Sequence, residues 1–400
     1  MTRKYECVSV DTHLEVPCDR WTPRVAKEYR DRAPRFIHLP VGGDAWVIEG
    51  RPLYRAGQAL WAGKSVEQWS PREMIYEGAA GAGSPEQRVR EQDADGIDAE
   101  VLFPGSGVFG ESLPEDDAYL AIVRAYNDFL AEDYCAVAPE RLIGLGMIPE
   151  RGLRYALDEL ERCARLGLKA VVLSAYPSGK FYPTPEDDEF WTAALGMNMP
   201  ITVHVEIGAR GAYRGPLFKY PRDPGWDPAG QDIILRMLRK GQGGAKTAVQ
   251  LMMAGVFDRF PLLQVYFAET SIGWIPHFLE QMDMQYERHR HWAERLFGLE
   301  PLARAPSEYV KEHCLWGFQD DPIGVHLRHF IGIDQLMWAT DFPHADATDW
   351  PHSQTVVERN FADVPDDEKH KIVAGNAVRF FHLDNDSSTE QRTRAAAVVS

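Results

Sequence analysis

The feature that most limits the folds open to this chain is one alternation repeated eight times. Apolar runs at Glu6–Val10, Ala99–Phe103, Leu142–Met147, Lys169–Ser174, Ile201–Val205, Leu263–Ala268, Cys314–Gly317 and Gln335–Thr340 read as strands. Amphipathic stretches such as Asp116–Val137, Leu153–Leu166 and Ser271–Phe297 lie between them. Strand–helix alternation of this length predicts an α/β fold, a (β/α)8 TIM barrel. A doubly wound open sheet is the competing architecture, but no glycine-rich phosphate loop follows the first run.

Residues 1–383 are expected to form a single barrel domain, and the polar stretch 384–400 a flexible tail. Insertions interrupt it at about 34–97, with a hairpin around Trp46–Tyr54, and at 206–245, after the first and fifth strands. Covers of this length in a compact domain are usually functional. The chain has 43 Lys and Arg against 60 Asp and Glu, a formal charge of -17. That field disfavours nucleic acid and anionic membranes as partners. Five scattered cysteines without a CxxC pair argue against disulfides and a thiolate zinc site. The opening MTRKYECVSV lacks the apolar core of a signal peptide, so a cytoplasmic protein is expected.

Polar groups gather where the runs end. In extended backbone, residues two apart share a side, so Asp11, His13 and Glu15 project together. The fifth run carries His204 and then Glu206, the sixth ends at Glu269, and the eighth leads into Asp341 and His344. Barrel enzymes build their sites at these C-terminal strand ends. Any one such residue alone is more often an ordinary hydrogen-bonded core group. Several acids and imidazoles together are different, because buried carboxylates are costly unless paired or metal-bound. Asp11, His13, Glu15, His204, Glu269, Asp341 and His344 therefore form the candidate metal set. His277, His313, His326 and His329, at helix ends, and His289 and His291, on a charged and solvated helix surface, have no carboxylate at ligand spacing and are poor ligand candidates.

At these residues the sequence resembles the amidohydrolase-related metal-dependent barrels, the group that includes the aminocarboxymuconate semialdehyde and resorcylate decarboxylases. The likeness runs through Asp11-Thr12-His13-Leu14-Glu15, Arg141–Pro149, Gly167–Leu173, Pro200–His204, Asp258–Pro261 and Ala339–His344. It implies metal at His13, His204 and Asp341, with Asp11 standing where many members have His or Glu. One departure is Glu269, where hydrolases and decarboxylases of the group usually place a His.

Four carboxylates and three imidazoles exceed what one tetrahedral zinc uses. The set resembles a smaller branch, the barrel-fold non-heme diiron monooxygenases that include the platensimycin and platencin diterpenoid hydroxylase. That resemblance implies two Fe(II) ions bound by all seven residues, with Glu269, Glu15 and His344 as the catalytic groups. It also implies a hydrophobic, coenzyme A-linked substrate, C–H hydroxylation and an external electron donor or reductase. Consistent with an acyl-CoA, Arg210, Arg214, Lys219 and Arg222 lie in a segment from Ile207 to Thr247 that carries eight basic and three acidic residues. The alternative is a hydrolase or decarboxylase with one Zn or Mn at His13, His204 and Asp341, and Glu269 or Glu15 as general base. A catalytically dead binding barrel is the third reading. The segment Ser271–Phe297 is long enough for a homodimer interface.

Overall fold

The computed structural model describes residues 4–40, 42–48, 50–54, 60–70, 75–105, 113, 115–208, 221, 237, 241–344 and 349–384. The chain starts in β1 (Val8–Leu14) and then builds a small antiparallel sheet from β2 (Arg35–His38), β3 (Asp44–Ile48) and β4 (Arg51–Tyr54). Seven further strands follow: β5 (Ala99–Pro104), β6 (Leu142–Met147), β7 (Ala170–Leu173), β8 (Ile201–His204), β9 (Val265–Ala268), β10 (Cys314–Phe318) and β11 (Leu336–Trp338). They pair in parallel in the order β1-β5-β6-β7-β8-β9-β10-β11, a nearly closed (β/α)8 barrel.

The local causes are legible. β6, β7 and β9 (LIGLGM, AVVL and VYFA) are buried at every residue, as parallel strands covered on both faces must be. The helix Pro85–Asp95 starts at Ser84, whose hydroxyl accepts from Gln87 N at 3.3 Å, and ends at Gly96 with φ 69°. Gly167, φ 80°, closes the helix Leu153–Leu166 in the same way.

Among the described residues β11 and β1 share no ladder, and other hydrogen bonds close that seam. Asp341 N donates to Asp11 O at 2.9 Å, and His13 N donates to Phe342 O at 2.8 Å. Thr340 N donates to Ser9 Oγ at 2.8 Å. β1 is also bulged between Ser9 and Thr12 in its register with β5, and such bulges re-aim side chains beside sites.

The hairpin expected at Trp46–Tyr54 is present as β3 and β4, extended to three strands by β2. An isolated antiparallel bridge joins Leu60, beyond that sheet, to His344 at the barrel mouth. Arg210, Arg214, Lys219 and Arg222 lie outside the described residues, as do residues 385–400 of the tail. No helix among the described residues is long and apolar enough to cross a membrane.

Candidate metal centre

Three strands turn away from the barrel at the residues that carry the site. Val205, directly after β8, has φ 59°, Glu269, directly after β9, has φ 55°, and Asp341, after β11, has φ 60°. Left-handed backbone at non-glycine residues costs on the order of 1–3 kcal/mol each and clusters at functional sites.

Around this mouth His13 is the hub. Its Nε2 lies 3.0 Å from Asp341 Oδ1, 3.2 Å from His204 Nε2 and 3.6 Å from Asp11 Oδ1. His204 Nε2 is in turn 3.7 Å from Asp11 Oδ1 and 3.6 Å from Glu269 Oε2. Asp11, His13 and His204 offer ligand atoms that all lie within 4.8 Å of one another. The His13 ring stacks on His344 with centroids 4.0 Å apart and meets His204 edge-on at 4.9 Å. Asp11, His13, Glu15, Glu269 and Asp341 are buried.

This donor set fits a divalent cation. Two carboxylates and two imidazoles converge without a thiolate, which suits manganese or zinc. Each cysteine is buried, and none belongs to the ligand groups found among the described residues.

The remaining two predicted residues, Glu15 and His344, form a second grouping with His13. His344 Nε2 lies 3.2 Å from Glu15 Oε1, and its Nδ1 lies 3.2 Å from Asp341 Oδ1. Burial would lower the His344 pKa, but the Asp341 and Glu15 carboxylates outweigh it and raise the imidazole to about 10. Burial would likewise raise the Asp341 carboxyl, yet the His344 charge and hydrogen bonds from His344 and His13 hold it well below the usual carboxylate range. His13 moves the opposite way, lowered by burial and by the neighbouring His344.

The structure thus brings together all seven residues singled out at the strand ends. Glu206 separates from them: its carboxylate accepts from Thr247 N at 2.8 Å and from Thr247 Oγ1. His313 is a core residue, with Nδ1 2.7 Å from Leu263 O and its ring stacked on Phe257. Two groups escaped the sequence reading. Gln319 Nε2 donates to Asp11 Oδ2 at 3.3 Å, and its place directly after β10 is the signal that marks it. Arg88 Nη1 donates to the His13 carbonyl at 3.1 Å from a helix with no apolar pattern to draw attention.

A family model described as amidohydrolase matches residues 10–383. Gamma-resorcylate decarboxylase of Polaromonas sp. is 24% identical over 312 residues, 74% of this chain and 87% of that protein. Among solved structures, an amidohydrolase from Mycobacterium avium subsp. paratuberculosis has a TM-score of 0.70 at 18% identity, covering 95% of this chain and all of that one, 100%. The 5-carboxyvanillate decarboxylase of Novosphingobium aromaticivorans, complexed with manganese and 4-hydroxy-3-methoxy-5-nitrobenzoic acid, has a TM-score of 0.62 at 20% identity, covering 94% of this chain and 96% of that one. These two structures share the barrel fold with the chain.

The comparisons correct the oxygenase expectation. Decarboxylases stand first among the relatives, a hydratase is a further one, and none of these is an oxygenase, so the diiron monooxygenase branch, the two Fe(II) ions and the oxidoreductase chemistry are withdrawn, and with them the need for a reductase. Nor do they support a coenzyme A-linked substrate. The geometry is in keeping with a single centre: Glu15 Oε1 and His344 Nε2 face each other at 3.2 Å.

Proposed function

This chain belongs to the amidohydrolase family, and from that premise we propose that it is a metal-dependent decarboxylase of a small hydroxylated aromatic acid. The observation that carries the reading is the convergence of Asp11, His13, His204 and Asp341 on one another beside a buried Glu269. The names of the relatives support the reaction class.

One divalent ion, manganese or zinc, would be held by His13, His204 and Asp341 with Asp11 alongside. When bound, it supplies a Lewis acid for the carboxylate and hydroxyl oxygens of the substrate. Glu269 is assigned the proton chemistry. As the bond between the ring carbon and the carboxyl carbon breaks, the electron pair stays on the ring carbon, which must take a proton. A buried carboxyl 3.6 Å from His204 Nε2 is placed to give it. His344 orients Asp341 through Nδ1 and faces Glu15 through Nε2. Gln319 fixes the rotamer of Asp11 through its donated hydrogen bond.

The test is CO2 release by Mn2+-loaded protein from 2,6-dihydroxybenzoate, 5-carboxyvanillate and related ortho-hydroxy acids. Turnover of one of these, with kcat falling about 10²–10⁴-fold in Glu269→Gln while Mn2+ stays bound, is the expected outcome. No CO2 from any of them, or a Glu269→Gln enzyme of unchanged kcat, contradicts the assignment.

A further inference from the structure

Among the described residues, no strand ladder closes the barrel seam between β11 and β1, where the proposed ligands meet. Asp11 and His13 come from β1, and Asp341 comes from the turn after β11. Beneath this junction sits Arg88, whose guanidinium is 1% exposed and makes three directed hydrogen bonds. Nη1 donates to the His13 carbonyl at 3.1 Å and Nη2 to the Phe342 carbonyl at 3.2 Å, one on each side of the seam. Nε donates to Glu100 Oε2 on β5 at 2.6 Å. The guanidinium carbon also lies 4.5 Å from the centroid of the Phe342 ring.

Glu100 is itself held, accepting from Gln92 Nε2 at 3.0 Å. Only a planar fork of donors meets two carbonyls and a carboxylate together, so lysine is not equivalent here. Burying such a pair contributes little net stability, while losing one partner leaves an uncompensated charge. A buried ion pair whose remaining donors end on the backbone of two proposed ligand segments is poorly explained by packing alone.

We propose that Arg88 is a positioning residue for the metal centre. It staples the His13 and Phe342 carbonyls and so sets the separation of His13 from Asp341, although it touches neither substrate nor metal. The inference rests on the metal-centre reading above. Groups outside the ligand shell that orient ligands typically change metal affinity about 10–100-fold when removed.

Mn2+ affinity by calorimetry and the EPR spectrum of bound Mn2+ test it, beside thermal unfolding. Arg88→Lys is expected to bind Mn2+ about 10–100-fold more weakly, with a changed EPR line shape. Glu100→Gln keeps the shape of the pair and loosens its anchor. It is expected to shift affinity in the same direction by a smaller factor, and it serves if the lysine variant does not fold. The control is Glu159→Gln, which alters a buried carboxylate bonded to Arg162 and Asn127. It is expected to lower Tm and leave Mn2+ affinity unchanged.

Wild-type affinity and line shape in both Arg88→Lys and Glu100→Gln overturn the inference alone. So does a loss of affinity in Glu159→Gln as large as that in Arg88→Lys. Wild-type protein that binds no Mn2+ overturns the metal reading and this inference with it.

Discussion

His13 Nε2 lies 3.0 Å from Asp341 Oδ1, joining a side chain of the first barrel strand to one in the turn after the last. The same carboxylate oxygen is 3.2 Å from His344 Nδ1, so one buried acid ties both imidazole groupings together. Apart from these two imidazoles, this buried oxygen has no hydrogen-bond partner among the described residues, as suits an atom that faces a cation.

Replacing Asp341 with Asn should therefore separate binding from folding. The amide keeps the shape and loses the charge. Mn2+ affinity should fall at least about tenfold, while the circular dichroism spectrum stays that of the wild type. Metal content after dialysis and calorimetry read both effects, and an Asn variant with full metal content contradicts the role given to Asp341.

Alternation along a strand places Glu206 beside His204, but Thr247 takes its carboxylate instead. His204→Ala should strip the metal, whereas Glu206→Gln should retain it and only weaken the Thr247 contact, at a cost of at most about 1 kcal/mol. Metal analysis of the two purified variants distinguishes them. Equal loss in both would show that Glu206 reaches the ion.

Asp95 carries a pH dependence that lies away from the metal centre. Burial pushes its carboxyl up to about 6, opposed by hydrogen bonds from Ser353, whose N donates at 2.8 Å. A carboxyl raised on folding is easiest to accommodate when protonated. Its stabilising contribution is full below the unfolded value near ~4 and is lost as pH rises through about 6. At neutral pH the buried charge costs about 3 kcal/mol. Asp95→Asn should raise Tm above wild type at pH 7.5 and lose that advantage at pH 4. Thermal unfolding at several pH values checks this, and a constant offset between the two proteins contradicts it.

Metal removal should cost stability as well as activity. A chelator-treated protein should unfold at lower temperature and recover on adding Mn2+. At a free concentration of roughly a hundred times Kd the gain is about 2.7 kcal/mol. A Tm unmoved by chelator and by Mn2+ would place the ion outside the folded core.

Much of the architecture was legible because parallel barrel strands leave short, fully apolar runs that few other folds require. The residues at their ends were legible too, since acids and imidazoles have no other reason to crowd those positions. The first strand was misjudged in extent. It starts at Val8 and runs to Leu14 across a bulge, so its polar residues Asp11 and His13 lie inside the strand rather than after it. Glu206 deceived the alternation because Val205 has φ 59° and breaks the pleat. Arg88 was hidden because the helix Pro85–Asp95 buries charged and amide side chains, including Glu91, Gln92 and Asp95, toward the barrel. Reaction class was the least legible part. The same ligand types serve oxygen activation and decarboxylation, and the number of carboxylates suggested a second metal ion.

Metal stoichiometry is the most direct measurement of the central claim. Titration of chelator-treated protein with Mn2+ should give one tightly bound ion per chain, with binding abolished in a His13→Ala, His204→Ala double variant. Two ions per chain, or one ion retained by the double variant, would contradict a single centre built on His13, His204 and Asp341.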